Sequence, residues 1–225
     1  SLDRLQRPAE ALQTFDLLRA GLAPDDPLWA EVLYWEGDVS RRTVQMIRAK
    51  LAFQRLLERY PDSTWAPMAQ LEMGLIYAHQ QAFELARQRF HQLALQKAGS
   101  PLALDALLYE GFCNLRLKRF QETVNLLQPL LERLEDPRMA SQAAFYLGEG
   151  LTGLERYGDA VAAYRRAITS AEASTWSRLA IFGVGWAGFR AGRCDESIEA
   201  FERYLSFPVP DHRTEYQSVP SPRAG

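Results

Sequence analysis

Three histidines (His79, His91 and His212), two cysteines (Cys113 and Cys194) and the acidic pairs Asp25-Asp26 and Asp195-Glu196 are the residues whose types could carry chemistry in this chain. A zinc site draws its ligands from His, Cys and carboxylates at short fixed spacings, such as two His four apart on one helix face. The histidines stand 12 and 121 residues apart and do not pair in this way, so no metal site is expected. A phosphate-cradling loop needs its glycines between a strand and a helix. Gly148 and Gly150, in LGEGLTG, follow no strand pattern and fall inside a helical one. The acidic pairs precede helical stretches, where a carboxylate favours the positive end of the helix dipole. No nucleophile, general base or cofactor fingerprint remains, and the expectation is a chain that is not an enzyme and holds no cofactor.

Charge and hydropathy exclude further classes. Lys plus Arg number 26 and Asp plus Glu 28, with no long run of either sign. A nucleic-acid binder clusters cations to neutralise phosphates, so no nucleic-acid partner is expected, nor a polybasic membrane surface. No window reaches the roughly 18 apolar residues that span a bilayer, so no direct membrane insertion is expected. The first ten residues, SLDRLQRPAE, lack the apolar core of a targeting peptide. The two cysteines, too far apart on the repeat described next to meet the roughly 7 Å limit on Cα separation, are read as buried free thiols.

The elements that must position any site come from arithmetic. Glycines stand at 37, 74, 111, 148 and 185, each 37 after the last and each inside an apolar-periodic stretch. A glycine in a helix interior costs about 1 kcal/mol against Ala, so five at one phase imply a shared packing reason. Twelve residues after each comes a small residue, Ala49, Ala86, Thr123, Ala160 and Ser197; four further on comes a large one, Phe53, Phe90, Leu127, Tyr164 and Phe201. That i, i+4 spacing places each small and large residue on one face of a second helix. The expected crossing is small against small, with the large residue beside it. Asp26, Ser63, Ser100, Asp136 and Ser174 read as N-caps. Helix pairs are predicted near 27–59, 64–97, 101–134, 137–171 and 175–206. Leu28, Trp65, Leu102, Met139 and Trp176, nine before each glycine, are read as core between adjacent pairs.

The order small residue, Ala, Phe and then Pro resembles the tetratricopeptide repeat family: Met73-Gly74-Leu75-Ile76-Tyr77 followed by Phe83, Ala86 and Phe90, and likewise Gly37, Ala49, Phe53 and Pro61. The period of 37 departs from that family's usual 34, and Thr123 and Leu127 replace its Ala and Phe. The resemblance implies an all-α, right-handed superhelical solenoid of antiparallel helix pairs. Its expected limits are a partial repeat at 1–22, where Ala11 and Phe15 mark a second helix alone, five pairs over 26–206, and an extended or disordered proline-rich tail at 207–225. The stretch from Arg59 to Phe90 is similar to repeats of bacterial envelope proteins, among them the lipoprotein of the β-barrel assembly machinery and the Tol-Pal coordinator protein. That likeness implies a periplasmic or cell-envelope location; without it the expectation is cytoplasmic.

In this family the first helix of each pair lines the concave, ligand-binding face. Three residues before each glycine stand Tyr34, Leu71, Leu108, Phe145 and Phe182; one after stand Asp38, Leu75, Phe112, Glu149 and Trp186. With Arg41, Arg116 and Arg190 at the rim, these residues are expected to form an exposed apolar trough for an apolar or amphipathic segment of another protein or peptide. Family members that clamp acidic chaperone tails carry Lys and Asn there, which this chain lacks. The alternative is self-association into a homo-oligomer, motivated by the absence of polar capping helices at the ends of the array.

Overall fold

The computed structural model describes residues 8–23, 26–172 and 174–207. Most of the proline-rich tail, from residue 208 on, and His212 lie outside the described residues, as do the first seven positions of the partial repeat. Within them the chain forms eleven helices and no strand: α1 (Pro8–Gly21), α2 (Trp29–Arg42), α3 (Met46–Arg59), α4 (Ala66–His79), α5 (Phe83–Gln96), α6 (Pro101–Arg116), α7 (Phe120–Leu130), α8 (Pro137–Gly153), α9 (Tyr157–Ser170), α10 (Thr175–Arg190) and α11 (Cys194–Leu205). After the single helix α1 come five helix pairs, each first helix packed on the second that follows it.

The glycines have the shared packing reason their spacing implies, but the partner differs from the one expected. The large residue of the second helix, rather than the small one, lies directly on the glycine. A Cβ added at Gly37 would come within 2.5 Å of Phe53, at Gly74 within 2.4 Å of Phe90, at Gly148 within 2.5 Å of Tyr164 and at Gly185 within 2.6 Å of Phe201. Leu127 fills the same place over Gly111. Fully burying a Phe side chain stabilises by roughly 1.5–3 kcal/mol, which exceeds the helix-propensity cost of the glycine beneath it. Of the small residues, Ser197 reaches the first-helix backbone, its hydroxyl donating to the Gly185 carbonyl at 2.7 Å.

Each pair turns through one left-handed residue seven positions after its glycine: Val44, Gln81, Lys118, Glu155 and Gly192, with φ of 61°, 60°, 58°, 59° and 76°. The next residue's N–H reaches back to a carbonyl in the preceding helix, as Gln45 to Ser40 at 2.8 Å and Arg193 to Gly188 at 2.9 Å. This is the usual way to satisfy carbonyls at a helix C-terminus. Only the last of the five is the glycine that such a φ favours.

Caps divide into two groups. Ser100, Asp136 and Ser174 accept first-turn N–H groups as expected. Asp26 and Ser63 do not cap, because α2 and α4 begin later, at Trp29 and Ala66, behind short turns. Asp26 Oδ1 accepts instead from the N–H of Leu28 inside that turn. Leu28 is thereby left exposed, whereas its counterparts Trp65, Leu102, Met139 and Trp176 are part-buried.

Two compact units make up the chain, residues 1–97 and 98–225. In the first, Leu33, Phe53, Leu56, Met73 and Ile76 form a core among α2, α3 and α4, and α1 joins through Ala11, Leu12 and Val39. In the second, Leu108, Leu127, Tyr146, Leu147, Val161, Tyr164 and Val184 belong to one core running from α6 to α10. Neither cysteine forms a disulfide; Cys113 is buried, whereas Cys194, read above as buried, is exposed at the start of α11.

Candidate functional site

In the first unit the first-helix positions meet an ion-pair network rather than solvent. Asp38 is buried, with Arg42 Nε at 2.9 Å and Arg41 Nη2 at 3.4 Å. Arg41 in turn reaches Glu72 of α4 at 2.6 Å through its Nε. Burial first, and the Asp38 carboxylate next, hold the Glu72 carboxyl above its ordinary value although Arg41 opposes them. Tyr34 is half-buried, its ring 4.9 Å from Trp65 and 5.3 Å from Trp35. Desolvation, with Glu72 and Asp38 adding to it, pushes its hydroxyl up to about 12. Leu71 and Leu75 are buried.

In the second unit the same positions begin buried and end exposed. Leu108 is 1% exposed within the core and Phe112 is half-buried, its ring 5.4 Å from Tyr146. Phe145 is half-buried among Tyr146, Tyr164 and Trp176, the last at 5.6 Å. Glu149 accepts a hydrogen bond from the Tyr164 hydroxyl at 2.6 Å. The hydroxyl is held well above its usual range, mainly by burial and then by that carboxylate. On α10, by contrast, Phe182 is 48% and Trp186 46% exposed. Arg116 is exposed, and Arg190 lies 4.8 Å over the ring of Tyr157.

The trough expected along all five first helices is therefore corrected. Asp38, Leu71, Leu75 and Leu108 are buried, and Tyr34, Phe112, Phe145 and Glu149 are half-covered. The cause within each unit is visible in the rings. The next first helix lays an indole on its predecessor, Trp65 on Tyr34 and Trp35, and Trp176 on Phe145 and Tyr146. Among the described residues no such helix follows α11, and Phe182 meets only Phe201 and Tyr204 of its own pair, at 5.7 and 5.4 Å.

Among the described residues, the large apolar side chains that stay exposed on a first helix lie on α10. Leu179 and Phe189, at 39% and 59% exposure, extend Phe182 and Trp186 along one helix face. Their spacing of i, i+3, i+7 and i+10 keeps all four on one side. Leu179 and Phe189 escaped the sequence reading, yet the 37-residue register held the signal: six before and four after Gly185. The same four places read Glu31, Tyr34, Asp38, Arg41 in the first pair and Gln142, Phe145, Glu149, Thr152 in the fourth. Only the fifth fills them all with large apolar side chains.

Among the described residues no three His, Cys, Asp or Glu side chains converge on a point that could hold a metal, and no helix is long and apolar enough to cross a membrane. Family models of the tetratricopeptide repeat match residues 31–63 and 151–212. No curated protein sequence matches the chain. Solved structures of the same fold include a crystal structure of MamA, 19% identical with a TM-score of 0.66, covering 80% of this chain and 92% of that one. Another is MamA from residue 41 to its end from Desulfovibrio magneticus RS-1, 14% identical with a TM-score of 0.68, covering 79% and 93%.

Proposed function

The chain belongs to the tetratricopeptide repeat family, and from that premise we propose that it is a non-enzymatic protein-interaction scaffold whose α10 stripe takes an amphipathic segment of another polypeptide. The observation that carries this reading is the exposure of Leu179, Phe182, Trp186 and Phe189 together on one face. Contiguous apolar surface of this kind marks interaction sites on soluble proteins, and an amphipathic helix is the usual occupant of an elongated one. Aromatic anchors such as Phe182 and Trp186 are the residues on which binding energy concentrates. Arg190 adds a cation at the end of the stripe.

The variant Phe182→Asp/Trp186→Asp tests it. A protein captured from native lysate by the wild-type chain is lost by the variant, while helical circular dichroism is unchanged because both side chains are already half in solvent. Undiminished capture would overturn the assignment. A second reading, self-association, is favoured by the pairing of rings between successive first helices, since a second copy could cover Phe182 as Trp176 covers Phe145. Light scattering across a concentration series separates the two: mass rising with concentration, and abolished by the variant, assigns the stripe to a second copy. On the likeness of Arg59 to Phe90 to envelope-protein repeats we also propose a periplasmic or envelope location, which recovery of the native protein in the cytosolic fraction would refute.

A further inference from the structure

We propose that a cleft in the first unit, between α1, α2 and α3, binds an acidic peptide segment through Arg55 and Arg59. The cleft has a volume of about 420 Å³, within the range of sites that enclose a small ligand and enough for a few side chains. Its apolar walls are Leu22, Trp29, Leu33 and Tyr60; its charged walls are Arg19, Arg55 and Arg59, and among the described residues no carboxylate lines it. None of these residues belongs to the first-helix positions considered above, so the site is independent of the α10 stripe.

The arginines of this unit show why the cleft is unusual. Arg19 and Arg48 share Glu36, Arg42 meets Asp38, and Arg41 meets Glu72. Arg55 and Arg59 have no carboxylate partner among the described residues and both are exposed. They stand four apart on α3, so two like charges sit side by side on one helix face, an arrangement that is repulsive until an anion joins them. Arg59, in the last turn, complements the helix dipole; Arg55, a turn earlier, has no such role. The opposite wall is held in place: the Trp29 indole N–H donates to the Ala23 carbonyl at 2.6 Å.

This chemistry selects a class of ligand. A guanidinium presents a planar fork that matches a carboxylate in two parallel hydrogen bonds. Two forks beside a floor of indole, phenol and leucine fit a Glu or Asp followed by a large apolar side chain. Among the described residues, the walls' uncharged polar groups are the phenol of Tyr60 and the Trp29 indole N–H, the latter already bonded to Ala23, which leaves little to read a base or sugar. The near-neutral chain also has no basic run to follow a phosphate backbone.

The test is fluorescence anisotropy on the whole chain with a labelled peptide alternating Glu and Phe, and a matched peptide alternating Lys and Phe. The Glu-Phe peptide binds, and added salt weakens it as expected for exposed charges. Arg55→Glu/Arg59→Glu lowers its affinity by about tenfold or more and gains affinity for the Lys-Phe peptide. Arg55→Gln/Arg59→Gln, which removes charge without adding any, produces the same loss. Both side chains are exposed, so circular dichroism is unchanged. Equal affinity in wild type and variants, equal binding of the two peptides by wild type, or displacement of the peptide by inorganic phosphate would each overturn the proposal.

Discussion

Val44 is the residue at which backbone and side chain disagree most. Its φ of 61° lies in the left-handed region, where a β-branched side chain is an outlier. The 37-residue register explains why the residue is nonetheless held there: every pair makes the same turn, and the hydrogen bond from Gln45 to Ser40 closes it. Val44 is exposed and contributes no core packing. Val44→Gly is therefore expected to raise the unfolding free energy by about 1 kcal/mol, and Gly192→Val to lower it by at least as much; urea denaturation of the two variants measures both. This conformational pattern was not readable in the chain, because Val, Gln, Lys and Glu carry no preference for left-handed backbone. Only Gly192 announced it. The glycines facing Phe53 or Tyr164 are the opposite case, where a cost in propensity at a fixed interval could have only a packing cause.

Among the elements, α6 and α10 carry equivalent positions with opposite fates. Leu108 and Phe182 both lie three residues before a repeat glycine, and no property of either residue alone tells them apart. One is buried in the core and the other nearly half exposed, because α8 packs on α6 and, among the described residues, no first helix follows α11. Hence the periodicity misjudged how much of this face stays open. The distinction has a direct consequence for mutagenesis. Leu108→Asp places an unpaired charge in the core, a change that costs several kcal/mol, and is expected to lower the thermal midpoint sharply as followed by circular dichroism. Phe182→Asp is expected to leave it nearly unchanged. If the two variants melt alike, the burial assigned to this register is wrong.

At the scale of the molecule, packing is between neighbours, as repeat arrays require. A defect should then stay where it is made. Gly37→Val drives a side chain into Phe53 and is expected to speed hydrogen exchange in α2 and α3 while amides of α8 and α9 keep their protection. Uniform loss of protection would instead mean that the chain unfolds as one block. The all-helical class and the packing of consecutive helices followed from the repeat. The ion pairs around Glu36 and Glu72 did not, since they join residues of different helices that no single period relates. The rings at the repeat junctions have a further use. Trp65 reports on the seam between the first and second pairs, and Trp176 on the seam between the fourth and fifth. With the remaining tryptophans replaced, each indole becomes an optical gauge of one seam, so that stretching or ligand-induced opening can be followed joint by joint through emission wavelength alone.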